Sequence, residues 1–106
     1  MIDIEQIKAE TGANIVIIVD NYGTIINSTE TEYVKNFALM TESAFSMCDA
    51  LLKDMTDTNL DQLIAKSKEN LFIANRLDEN SIILVTTDNL SKFGLLLKYM
   101  NSIENK

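Results

Sequence analysis

An unbroken apolar run, Ile15-Val16-Ile17-Ile18-Val19, stops at Asp20 and constrains this chain more than any other segment. A strand that is apolar on successive residues has both faces covered, so it belongs in the middle of a sheet with material packed on each side. Behind it stands Asp20-Asn21-Tyr22-Gly23, which reads as a hairpin loop with Gly23 at the positive-φ position. A second strand over 24–28 returns the chain. Ahead of the run, Ile4 and Ile7 mark a short helix over roughly residues 2–10. The chain therefore opens on a helix and a hairpin whose first strand is central.

Ile82-Ile83-Leu84-Val85 is a second all-apolar run and predicts another central strand over 81–87. Residues 71–77 read as a strand of better pattern than 59–67, whose mixed polarity fits an edge. Ser28-Thr29-Glu30-Thr31-Glu32 predicts the start of a long helix over 32–55, with acidic residues complementing its dipole. Asp88 or Asn89 caps a last helix from Leu90 to about Ile103, with Leu90, Phe93, Leu96, Leu97 and Met100 on one face. Every strand-to-strand link is short, so the sheet is mainly antiparallel. Two strands buried on both faces require helices on both faces. The expected fold is an α/β (α+β) three-layer α/β/α sandwich around a five-stranded sheet. The first and fifth strands lie at its centre, the long helix on one face and the terminal helices on the other.

Plotted at about 100° per residue, the long helix is wider in apolar surface than one sheet demands. Tyr33, Val34, Phe37, Ala38, Met40, Ala44, Phe45, Met47, Cys48, Leu51, Leu52 and Met55 span roughly 180°, against the ~100° stripe that usually suffices. The surplus predicts burial against a second surface, in a chain this small most simply another copy. The other side carries Lys35, Glu42, Ser46, Asp49 and Lys53, with Leu39 out of place among them.

Composition removes several function classes. The 106 residues read as one domain, 1–106, carrying 16 Asp plus Glu against 9 Lys plus Arg. That acidic balance repels nucleic acid. No stretch nears the ~18–20 apolar residues of a membrane span, and the first residues lack a secretory pattern, so a cytoplasmic protein is expected. Histidine is absent and cysteine occurs once, which leaves neither a usual general base nor a zinc ligand set. The three glycines are scattered and form no phosphate-binding loop. No cofactor, no metal and no enzymatic activity are expected.

The Gly12-x₇-Asp20-x-x-Gly23 hairpin and the C-terminal strand-helix Ile82-Ile83-Leu84-Val85-Thr86-Thr87-Asp88-Asn89-Leu90-Ser91-Lys92-Phe93-Gly94-Leu95-Leu96-Leu97 resemble the roadblock/dynein light chain family. Longin-like and profilin-like sheets share the sandwich. The family often has a glycine between the long helix and the third strand, where this chain has Thr56-Asp57-Thr58-Asn59. The resemblance implies a homodimer, or a pair with a paralogue, joined through the third strand with the long helices together. It also implies a Ras-like small GTPase partner, or the alternative role of a structural adaptor subunit. On this basis the dimer interface is expected at Val34, Ala38, Phe45, Leu52, Leu63, Ile64 and Ala65. The GTPase is expected at Lys35, Leu39, Glu42, Ser43, Ser46 and Asp49.

Each singled-out residue also has a plain role. Asp20 and Asp88 both close central runs; side by side on one rim they would make a carboxylate pair, and separately they are a turn starter and a helix cap. Cys48 lies mid-helix with no activating group and reads as packing. Met40, Met47, Met55, Phe37 and Phe45 read as core and dimer contact. Arg76, the only arginine, reads as a surface salt bridge before an arginine finger. Leu39 is equally an ordinary exposed leucine and an interface anchor.

Overall fold

The computed structural model describes residues 2–30, 32 and 34–104, and these form three α-helices, five strands and one 3₁₀ turn. In chain order they are α1 (Ile4–Thr11), β1 (Ile15–Asp20), β2 (Ile25–Ser28), α2 (Val34–Thr56), β3 (Gln62–Lys66), β4 (Leu71–Asp78), β5 (Ser81–Thr87), the 3₁₀ turn Leu90–Lys92 and α3 (Phe93–Glu104). Asp3 caps α1 by accepting from the Gln6 N–H, and Gly12 ends it at φ 74°, its N–H on the Lys8 carbonyl.

The sheet order is β2-β1-β5-β4-β3, antiparallel throughout. As the two apolar runs require, β1 and β5 are neighbours at the centre, in register from Ile15↔Thr86 to Asp20↔Ser81. Alternation along these strands divides the core in two. Val16, Ile18, Ile73, Ile83 and Val85 meet Ile4, Ile7, Leu96 and Met100 of α1 and α3. Ile17, Val19, Ala74, Ile82 and Leu84 meet Val34, Ala38 and Phe45 of α2. The three-layer sandwich is thus the observed architecture.

The hairpin is built as its sequence indicates. The Asp20 carboxylate accepts from the Tyr22 and Thr24 N–H groups, both at 2.9 Å, and Gly23 turns the chain at φ 81°. Antiparallel pairing sets Asp20 beside Ser81 at one end of the sheet, whereas the Asp88 N–H donates to Asn14 Oδ1 at the other. The two carboxylates therefore share no rim. Asn89, not Asp88, is the cap, accepting from the Ser91 N–H.

Several boundaries differ from expectation. Ser28 and Glu30 close a local turn instead of starting the helix, since Ser28 Oγ donates to the Glu30 carbonyl and accepts from the Glu30 N–H. Consequently α2 begins at Val34 with no acidic residue in its first turn. Thr31 and Tyr33 lie outside the described residues. The last helix starts as a 3₁₀ turn, and β3 begins only at Gln62. Past α2, where glycine is absent, Asp57 itself takes the left-handed conformation at φ 58° and donates its N–H to the Lys53 carbonyl. Aspartate tolerates that region better than most residues.

Two glycines should respond oppositely to alanine. At Gly23 a Cβ would stand 2.8 Å from Leu39 Cδ2, at a positive φ. Gly23→Ala is expected to cost about 1–3 kcal/mol in urea unfolding. At Gly94, in the first turn of α3, a Cβ would meet nothing within 4 Å. Gly94→Ala is expected to stabilise by about 0.5 kcal/mol in the same measurement.

Candidate functional site: the flank of the long helix

The phase of α2 divides its wide apolar arc into two stripes. The inner stripe, Val34, Ala38 and Phe45, is 4 %, 0 % and 2 % exposed, and Cys48 and Leu52 pack beside it half-buried. A lateral stripe, Phe37, Met40, Met47, Leu51 and Met55, is 38–74 % exposed. The two are offset by roughly a third of a turn, which is what 100° per residue gives for positions 34/38/45 against 37/40/47/51/55.

The lateral stripe leans towards β3. Phe37, Met40 and Ala44 wall one side of a groove of about 800 Å³, and Ala65, Phe72 and Leu84 form its floor. The groove runs beside the N-terminal half of α2, from Asn14 and Ile15 past Leu84 and Thr86 to Phe72 and Ala65. Register places Leu63 and Ala65 on this face opposite Ala74 and Phe72, and Ile64 on the opposite face opposite Ile73. Beyond them, β3 is the edge strand.

This geometry revises the expected interface. Val34, Ala38 and Phe45 are taken up by the sheet's own core and cannot meet another chain without leaving it. Leu52 is largely so. Ala65 lines the groove half-buried, Leu63 packs half-buried against the α2-side core, and Ile64 is exposed on the far side of β3. The residues with free apolar area are instead Phe37, Met40, Met47, Leu51 and Met55. Their signal was the width of the arc; what the sequence left undecided was which half of it the sheet takes.

The polar flank points the other way, towards the β1–β2 hairpin. Lys35, Ser43 and Ser46 are exposed, and Glu42 is half-buried and accepts from Ser46 Oγ. Leu39 is 53 % exposed, with the rest of its side chain laid over Gly23. It is therefore half surface and half hairpin packing.

Asp49 departs from this group. Its Oδ1 accepts from the Leu60 N–H at 2.7 Å and from Arg76 Nη2 at 3.1 Å, and its Oδ2 meets Lys53 Nζ at 3.2 Å. Arg76 in turn donates through Nε and Nη2 to the Leu60 carbonyl, at 3.1 and 2.9 Å, with its guanidinium 5.3 Å from the centre of the Phe45 ring. Asp49 is thus bonded within the protomer to Leu60, Arg76 and Lys53, in the cleft that Glu42 and Ser46 also line. Arg76 is an internal clasp, neither a plain surface pair nor a finger aimed at solvent.

No group of three or more His, Cys, Asp or Glu side chains among the described residues is placed to hold a metal ion. No helix among them is long and apolar enough to cross a membrane.

Solved structures share this arrangement. MglB from Myxococcus xanthus matches with a TM-score of 0.84 at 16 % identity, over 94 % of this chain and 84 % of that one. The chain has the roadblock/LC7 fold. The gliding protein MglB of Thermus thermophilus matches at 0.76 and 17 % identity, over 91 % and 78 % of the two chains. A roadblock/LC7 domain from Streptomyces avermitilis matches at 0.68 and 11 % identity, over 99 % and 98 %. No family model matches the sequence, and no curated protein matches it. On the roadblock/LC7 frame, the groove and lateral stripe lie beside the third strand, the edge through which the family resemblance implies pairing.

The Leu60 N–H bond is the chief reason the Asp49 carboxyl titrates below the ordinary aspartate range, with Lys53 and Arg76 adding to it against the cost of burial. A carboxylate whose pKa is lower folded than unfolded stabilises the fold fully above its unfolded pKa, about 4, and loses that contribution as the pH falls through the lowered native value. Stability should therefore drop across that acid window, and less steeply in Asp49→Asn, as read from urea midpoints. At pH 7, Asp49→Ala is expected to cost about 1.5–3 kcal/mol through its charged hydrogen bonds.

Proposed function

We propose that this chain is a non-catalytic, cytoplasmic dimeric module that binds a Ras-like small GTPase and regulates or scaffolds it. One observation carries the dimer: three unpartnered features among the described residues are continuous. These are the apolar lateral stripe of α2, which reaches the groove at Phe37 and Met40, the groove floor at Ala65 and Phe72, and the edge of β3. An exposed edge strand beside an exposed apolar helix face is an aggregation liability unless something covers both. A two-fold axis beside β3 covers both at once, pairing β3 with its copy and stripe with stripe.

The GTPase is supported by the roadblock/LC7 fold shared with MglB and by what the family resemblance implies. The dimer would turn both polar flanks outward on the helical side, each showing Lys35, Leu39, Glu42, Ser43 and Ser46. Charge at such a rim sets encounter and orientation, while an apolar centre contributes affinity. Leu39, half-exposed among polar neighbours, fits that centre.

Sedimentation at micromolar concentration is expected to give about twice 11.9 kDa. Met47→Lys, at a position 74 % exposed in the protomer, should yield a folded monomer, because an unpaired charge would be desolvated in the interface. A monomeric wild type, alone and with a paralogue, overturns the dimer.

Capture of a Ras-like GTPase loaded with GDP or a GTP analogue tests the partner. Leu39→Ala should weaken that binding by about 1–2 kcal/mol, and Leu39→Arg by more, with dimerisation intact. No capture in either nucleotide state leaves the structural adaptor as the reading. Capture unaffected by Leu39→Arg moves the docking face elsewhere.

A further inference from the structure

Any interface built from the α2 stripe and the β3 edge needs those two elements held at a fixed offset, since a partner meets both together. Apolar packing supplies part of that offset, since Leu60 is buried in the α2-side core and Cys48, Leu52 and Leu63 pack against it. Gln62 Nε2 donates to Asn75 and Asn101, and the polar part on the α2 side converges on Leu60. Five residues, 57–61, separate α2 from β3, none of them glycine or proline. The β3 strand has five residues and a single neighbour, β4. Beside the N-terminal half of α2, at Phe37, Met40 and Ala44, the groove opens over Ala65 and Phe72.

The geometry points to Asp49 and Arg76 as an internal clasp that positions the β3 edge against the α2 stripe, so that self-association depends on an ion pair lying outside the interface. This rests on the dimer reading above.

Leu60 stands two residues before β3, and both its backbone groups are held. Its N–H lies on Asp49 of α2, and its carbonyl receives two donors from Arg76 of β4. Asp49 and Arg76 bond each other, which closes the ring. The Arg76 backbone N–H also reaches the Asp61 carbonyl at 3.0 Å, extending the β3–β4 ladder by one rung. Phe45, under the guanidinium, ties the same point to the α2 core. Helix, strand lead-in and neighbouring strand therefore meet at one buried backbone unit.

A guanidinium is the side chain that makes this possible. It donates in a fixed plane to a carbonyl and a carboxylate together while stacking on a ring. Lysine keeps the charge but offers a single nitrogen, which cannot reproduce that fork. The pair is half-buried, with side-chain exposures of 32 % for Arg76 and 17 % for Asp49, so it is less screened than a surface pair.

The test uses the full chain with Arg76→Lys and Asp49→Ala, and Lys53→Ala as the control that removes only the exposed outer partner. Dimer Kd is read by sedimentation, and amide exchange is read strand by strand. Either clasp variant should weaken the dimer at least tenfold and speed exchange at Leu63–Ala65 at least tenfold more than at β1 and β5, whose exchange reports only the general loss of stability. Lys53→Ala should change neither. Unchanged Kd and unchanged β3 exchange in Arg76→Lys overturn the clasp. So does a loss of protection spread equally over β1, β5 and β3, which is general destabilisation. Should Asp49→Ala fail to fold, Arg76→Lys decides alone. A wild-type monomer overturns the dimer reading, and with it the claim on self-association, while β3 exchange still decides whether the clasp orders the edge.

Discussion

Everything in this fold depends on β1 and β5 lying together at the centre of the sheet. Six residue pairs hold them in register, and in both strands neighbouring apolar side chains go to opposite cores. A one-residue slip would exchange the two sets of side chains between faces. Because α1 and α3 offer Ile7, Leu96 and Met100 while α2 offers Ala38 and Phe45, the two cores have different shapes and the slip would leave both badly filled. The antiparallel direction of the pair then distributes the loops. It sends the Asp20 turn to one end and the Asn14–Asp88 contact to the other, and thereby dissolves a carboxylate pair that the linear sequence permits.

The second constraint is that one helix must serve a five-stranded face. It lies over β1 and β2, where Val34, Ala38 and Phe45 find partners. What remains uncovered is not scattered: the open floor, the lateral stripe and the edge strand fall on the same side. Burying a large apolar side chain contributes about 1.5–3 kcal/mol. An uncovered row of Phe37, Met40, Met47, Leu51 and Met55 is therefore a substantial unused contribution in the isolated protomer, and covering it is the natural source of association energy.

Elements with internal repetition were legible in the sequence. The two all-apolar runs give the central strands, their neighbour relation and the need for helices on both faces, and 81–87 is the strand observed. The arc of α2 is wider than the sheet takes up, and its lateral part stays exposed. Two kinds of information were not legible. Periodicity fixes the angular width of an apolar face but not its phase against the sheet, so Val34, Ala38 and Phe45 read as interface while the structure makes them core. Long-range polar contacts leave no spacing at all. Asp49 and Arg76 are far apart in the chain, and their meeting over Leu60 follows only once α2, β4 and the lead-in to β3 are packed. Leu39 falls between these cases. Its place on the polar flank was visible, whereas its contact with Gly23 needs the hairpin folded back beside α2.

Charge placement is consistent with the apolar flank as the surface for a second copy. The chain has a formal net charge of −7, so two copies repel at long range. At physiological salt that repulsion is screened beyond about 8 Å, and what matters is which charges are brought close. On α2 the ionisable residues Lys35, Glu42 and Lys53 lie on the polar flank and Asp49 is bonded to Leu60, Arg76 and Lys53, while Asp54 borders the stripe of aromatic, thioether and aliphatic side chains. Association through that stripe removes apolar area from water and leaves Asp54 at its border. Association through the opposite flank would bring two copies of Glu42 together around their own axis. In the proposed dimer the polar flank would stay exposed, with Leu39 among its charges. A surface of that kind discriminates between partners by charge and holds them by one apolar contact.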